Sequence, residues 1–233
     1  MIQVVPAASR YAFDRGWLRG NYSFPFADYQ DPEQNGFGPL RVFNDDWIAP
    51  GKGFGAHPHA DMEIVSVVLK GELRHEDNLG NVAVTGFGEI QRMSAGSGII
   101  HTEHNSSETE ELSLLQMWFM PHTRGLTPSY MTSRFDTEAL QGRLLPIVSH
   151  TAAPQVASIQ QDMTLYLSRL SAGEQLTYQP EAGRRTYLFV IEGGLTINGD
   201  AALAVRDSAR ITETPELTLS ADGAVFFMLI DLP

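Results

Sequence analysis

Four of the seven histidines fall in two short clusters, GAHPHADMEI at 55–64 and GIIHTEHN at 98–105. In an extended strand, residues two apart share a face, so His57 and His59 point the same way, and His101 shares a face with Glu103. Two neighbouring strands with those faces turned inward bring three imidazoles and one carboxylate together, with one or two coordination positions left open. Such a set holds a metal ion and leaves it room to react. Imidazole with one carboxylate suits a divalent transition metal, iron(II) first, with zinc, copper, nickel, manganese and cobalt as alternatives. Asp61 and Glu63 keep the parity of His57 and His59 if the strand persists. Glu63 is then either a group behind the ligands or a competitor of Glu103 for the metal. His104 and Asn105 have the wrong parity and are expected to cap the turn or bond nearby backbone. His75, His122 and His150 have no partner at ligand spacing and read as surface or loop residues.

The elements that must carry these residues are β-strands. Apolar, β-branched and aromatic runs recur between turn signals: LRVFN at 40–44, MEIVSVVL at 62–69, LLQMWFM at 114–120, TLYLSRL at 164–170, TYLFVIEG at 186–193 and AVFFMLIDL at 224–232. Glycine punctuates the first half as the corners of a closed barrel require. MEIVSVVLKGELRHEDNLGN and TYLFVIEGGLTINGD both read strand, glycine turn, strand, turn, which points to an internal duplication. The expected organisation is a first barrel over 1–120 with the metal site, a Pro- and Gly-containing linker over 121–142, and a second barrel over 143–233. No histidine follows His150, so the second barrel cannot hold an equivalent site.

Composition narrows the function. The chain has 233 residues and no cysteine, which removes disulfides, thiolate metal sites and cysteine nucleophiles together. Its formal charge of −12 opposes direct binding to a nucleic-acid backbone. No run approaches the ~18 apolar residues of a membrane span, and no secretory leader is visible, so a cytoplasmic protein is expected.

The clusters resemble the cupin pattern: Gly51, five residues, His57-Pro-His59, then Glu63, with the usual glycine one residue late at Gly71. The second motif survives as Gly88, Gly96, Gly98, His101 and Asn105, without its customary proline. The stretch from GWLRGNYSFPFADY to NLGN is similar to the opening of the pirin family, and the likeness runs through MSAGSGIIHTEHN and LQMWFMP to the ending LIDLP. That resemblance implies an all-β bicupin of two jelly-roll barrels. It implies metal ligands at His57, His59, His101 and Glu103, so that Glu63 is not the expected ligand. It also implies a dioxygenase of quercetin 2,3-dioxygenase type, acting with O₂ on a flavonol or similar small enolic substrate. The proton of the substrate hydroxyl would go to Glu103 or, alternatively, to Glu63. Phe54, Met62, Met93 and Trp118 are candidates for the pocket wall, about half of them plain core. The rival readings are a redox-sensing or protein-binding regulator with little turnover, and another metal-dependent cupin enzyme.

Overall fold

The computed structural model describes all 233 residues. The chain runs through β1 (Ile2–Val5), β2 (Tyr11–Asp14), β3 (Leu18–Tyr22), β4 (Leu40–Ile48), β5 (Gly53–Lys70), β6 (Leu73–Asp77), β7 (Val82–Thr85), β8 (Glu89–Asn105), β9 (Leu112–Phe119) and β10 (Ser129–Arg134). It continues through β11 (Leu145–Ser149), β12 (Ala157–Ser158), β13 (Thr164–Leu170), β14 (Gln175–Tyr178), β15 (Arg185–Glu192), β16 (Leu195–Ile197), β17 (Ala201–Leu203), β18 (Ser208–Ile211), β19 (Leu217–Ser220) and β20 (Val225–Leu232). The only helical turns are two short 3₁₀ segments, Ala7–Ser9 and Glu138–Leu140. No helix is long and apolar enough to cross a membrane.

Two compact units emerge, and their boundaries differ from the expected 1–120, 121–142 and 143–233. One unit comprises Tyr11–Phe135 and Thr151–Gln161; the other comprises Met1–Arg10, Asp136–His150 and Asp162–Pro233. The supposed linker contains β10, which pairs antiparallel with β8 from Ser129↔Ser94 to Arg134↔Glu89. Its residues are mostly exposed or half-buried, which gives the stretch the polar look of a connection. The first ten residues leave their sequence neighbours, because β1 pairs with β18 from Ile2↔Ile211 to Val5↔Ser208.

In the first unit the strands run β2-β3-β4-β9-β5-β8-β6-β7. The central pair, β5 and β8, is long enough to bend. One half of β8 (from Glu89) faces β10 and the far half of β5, and the other half (to Asn105) lies between β6 and the near half of β5. The bend in β8 falls at Gly96, where φ is +48° and an added Cβ would sit 2.0 Å from the Leu126 carbonyl oxygen. Only a residue without a side chain turns the strand there.

The second unit contains β1-β18-β15-β20-β13-β11 in one sheet and β14-β19-β16-β17 in another. Between their faces lies an apolar core that includes Leu188, Val190, Ile197, Leu219, Phe227 and Leu229, with Ile2 and Val4 packed against it. The two units share one kind of turn. Gly71 follows β5 at φ +79° and Gly193 follows β15 at φ +78°. Each presses against the start of a later strand, Gly71 on Leu112 of β9 and Gly193 on Val225 of β20.

Candidate metal centre

The antiparallel register of β5 and β8 sets His57 directly opposite His101. The rings of His57 and His101 lie 4.4 Å apart, those of His57 and His59 4.8 Å, and those of His59 and His101 4.9 Å. Their ligating nitrogens all fall within 4.8 Å of one another. The Nε2 atoms of His59 and His101 are buried and have no hydrogen-bond partner. A buried, unpaired ring nitrogen is costly unless it has a ligand. A divalent metal ion fits these residues, since it would satisfy both atoms at once.

The remaining nitrogens fix the rings. His57 Nδ1 donates to the Gly55 carbonyl at 2.7 Å, which leaves its Nε2 with the lone pair. His101 Nδ1 lies 3.2 Å from His75 Nδ1, and His75 Nε2 lies 3.1 Å from Asp77 Oδ2. The carboxylate can only accept, so His75 donates from Nε2 and accepts at Nδ1. His101 therefore donates from Nδ1 and turns a bare Nε2 toward His57 and His59. Burial, reinforced by neighbouring imidazoles, lowers the pKa of His59 to about 4 and that of His101 to about 3. Both rings are thus held neutral, the form that ligates.

Glu103 is 3% exposed and belongs to a second potential ligand group with His75 and His101. Its Oε1 accepts from Gln91 Nε2 at 2.7 Å and its Oε2 from Gln116 Nε2 at 2.8 Å. The two amides are themselves anchored: Gln116 Oε1 accepts from the Trp118 indole, and Gln91 Oε1 from the Tyr130 hydroxyl. A carboxylate has about four lone-pair sites, so two accepted bonds leave Glu103 able to ligate.

Two readings from parity need correction. His75 is no surface residue: it is fully buried, stacked on Tyr130 with ring centroids 4.2 Å apart, and it sits opposite Glu103 in the β6–β8 register. Alternation along β6 places Leu73, His75 and Asp77 on one face, with Arg74 and Glu76 exposed on the other. Glu63 does not reach the site. The β5–β8 register shifts between His59↔Ile99 and Asp61↔Gly96, with the extra residue on β8, and Asp61 adopts φ +63°, so Glu63 turns to the opposite face. Its carboxylate is wholly buried and accepts from the backbone N–H groups of Gln160 and Gln161, at 2.9 and 2.8 Å, and from Ser94 Oγ. It cannot serve as the base.

The other assignments divide. Asn105 caps the turn, donating to the Ile48 and Glu110 carbonyls. His104 sits on β8 opposite Gly53 and Arg74, off the ligand face. His122 and His150 are exposed. Phe54 and Trp118 line a cavity of about 230 Å³ in front of His57, His59 and Glu103. Met93 is core, and Met62 borders a neighbouring hollow of about 410 Å³ that shares Phe26 and Trp118 with the cavity. Spacing alone did not single out Asn44, Asp46 and Tyr22, which complete the cavity wall. Burial, with Asp45 and Glu103 nearby, pushes the Asp46 carboxyl up to about 8.

A fold of two cupin barrels with histidines converging in the first defines the class of protein. The Pirin family model matches residues 5–119, and that of the quercetinase C-terminal cupin domain matches residues 146–232. The chain is 43% identical to a quercetin 2,3-dioxygenase of Escherichia coli O157:H7, over 100% of this chain and 99% of that one. It is also similar to the crystal structure of YhhW from Escherichia coli, at 41% identity and a TM-score of 0.95, covering 100% and 98% of the two chains. A second structure, bacterial pirin YhhW from Escherichia coli in complex with nickel(II), matches at 42% identity and a TM-score of 0.94, covering 100% and 99%. The chain belongs to the pirin family.

Proposed function

We propose that this protein is a metal-dependent dioxygenase that opens a flavonol such as quercetin, or a similar enolic substrate, with O₂ and release of carbon monoxide. The observation that carries the reading is the pair of buried, unpartnered Nε2 atoms on His59 and His101, beside His57, where His57 and His59 line an aromatic-walled cavity. His57, His59, His101 and Glu103 would hold one divalent ion. The nitrogen and oxygen donors accept iron(II), and the nickel(II) complex of a relative shows that related chains take other ions. When bound, the ion supplies Lewis acidity that lowers the pKa of a substrate hydroxyl and favours reaction with O₂.

The protein's own groups do the rest. Phe54 and Trp118 present flat apolar faces against which a planar aromatic ring stacks and from which water is excluded. The neighbouring hollow lets a substrate of more than one ring extend past Trp118 toward Met62. Gln91 and Gln116 hold Glu103 in one orientation, so its position is set before substrate arrives.

The test is oxygen uptake by iron- or nickel-loaded protein given quercetin, with carbon monoxide detected alongside. Uptake with carbon monoxide release that is lost in His101→Ala is the expected result. Metal-loaded protein that consumes no oxygen would favour the regulator reading instead.

A further inference from the structure

Arg41 is the one charged side chain bordering the hollow of about 410 Å³ beside Trp118, and it has no carboxylate partner. The chain carries 28 Asp and Glu against 16 Lys and Arg, so a cation left unpaired at a cavity wall stands out. The backbone is built to place it there. Val42 of β4 faces Trp118 of β9 and Leu40 faces Phe119, so β4 has one residue too many at this point, and that residue is Arg41. A bulge of this kind re-aims a side chain out of the strand's alternation. Gly36, at φ +110°, yields to it: an added Cβ there would meet the Leu40 carbonyl oxygen at 2.5 Å, Arg41 Cδ at 3.1 Å and Arg41 Nη1 at 3.2 Å. Arg41 Nη1 donates to the Asn35 carbonyl at 2.6 Å, which pins the guanidinium and leaves four of its five N–H groups without an acceptor.

We propose that Arg41 is a specificity-determining residue that receives a carboxylate at the end of the substrate remote from the metal ligands. The inference rests on the function proposed above and narrows its substrate to enolic aromatic compounds that carry an acidic group. The spacing suits such a molecule. Asn44 borders the cavity in front of His57 and His59, and Arg41 is three residues along the same strand, roughly 10 Å away at ~3.3 Å per residue. Phe26 and Trp118 border both hollows, so a molecule of two or three rings laid past them reaches from the metal ligands to the guanidinium. The guanidinium presents its N–H groups in a flat, fixed fork that meets a carboxylate with two parallel hydrogen bonds. Arg41 is open to water, so the ion pair is screened and sets a preference among substrates instead of a strict requirement.

The experiment titrates nickel-loaded wild type, Arg41→Gln and Arg41→Lys under argon with unsubstituted flavonol and with a flavonol bearing a carboxylate at the far end of its pendant ring. Calorimetry gives a dissociation constant for each combination, and the quantity read is the ratio between the two ligands. Wild type is expected to bind the carboxylated flavonol about 5- to 20-fold more tightly. Arg41→Gln is expected to bind both within about twofold and to keep its metal and its affinity for the uncharged ligand, while Arg41→Lys keeps part of the preference. Equal binding of the two ligands by wild type, a preference retained in Arg41→Gln, or an equal weakening of both ligands in that variant would each overturn the assignment. The last of these is what a merely structural role in holding Asn35 would produce. If Arg41→Gln fails to fold, the methyl ester of the carboxylated flavonol takes its place. Wild type is then expected to bind the ester no better than the uncharged flavonol, and a preference for the ester overturns the proposal. Binding of neither flavonol would overturn this inference and the proposed function together. Absence of oxygen uptake after the expected preference has been seen would count against the proposed function alone, because binding is measured before oxygen enters.

Discussion

His101 presents a bare Nε2 because its other nitrogen is occupied by His75, which is in turn held by Asp77. Replacing His75 by Phe keeps a ring to stack on Tyr130 and removes the acceptor, leaving the His101 Nδ1–H unpaired in a buried place. We expect His75→Phe to bind nickel(II) about 10- to 100-fold more weakly than wild type, as measured by calorimetric titration. The convergence of His57, His59 and His101 was legible in the sequence because strand parity and spacing are local signals. His75 was not, since it ligates nothing at a recognisable spacing, although the alternation Leu73, His75, Asp77 against Arg74, Glu76 marked it as inward-facing. Asp46 stayed hidden for another reason. An acidic residue in NDDW reads as solvated surface until β3 and β9 are seen packed on either side of it.

At the scale of elements, β-strands and their turns were readable from apolar runs and glycines, but strand irregularities were not. The left-handed backbone at Asp61, opposite a bulge on β8, reverses the parity that placed Glu63 in the site, and nothing in HPHADMEI announces it. The duplicated turns make a sharper test. At Gly193 an added Cβ meets the Ala224 carbonyl oxygen at 2.2 Å, whereas at Gly71 the nearest atoms are at 3.0 and 3.1 Å, and at Gly80 there is nothing within 4 Å. All three have positive φ, so alanine costs roughly 1–2 kcal/mol from backbone conformation alone. Urea denaturation is expected to rank the losses Gly193→Ala, then Gly71→Ala, then Gly80→Ala, with the first exceeding about 2 kcal/mol. That ranking would show that the turns at Gly71 and Gly193 both carry a packing role that Gly80 lacks.

At the scale of the molecule, the sequence conveyed two barrels but misplaced their membership, because β1 pairs across some two hundred residues and such partners leave no local pattern. Ile2 and Val4 pack against the core of the second unit, so removing residues 2–5 is expected to lower the stability of that unit by on the order of 2 kcal/mol. Nickel(II) titration of the shortened protein is expected to match wild type, since every proposed ligand lies in the other unit. The pairing also orders events on the ribosome. Residues 2–5 are synthesised well before their partner Ser208–Ile211, which follows roughly 10–40 s later at ordinary rates of translation. The unit with the histidines contains no residue beyond Gln161, so all of its chain has been made while the strand Ile2–Val5 still waits, and His57, His59 and His101 are expected to converge before synthesis is over.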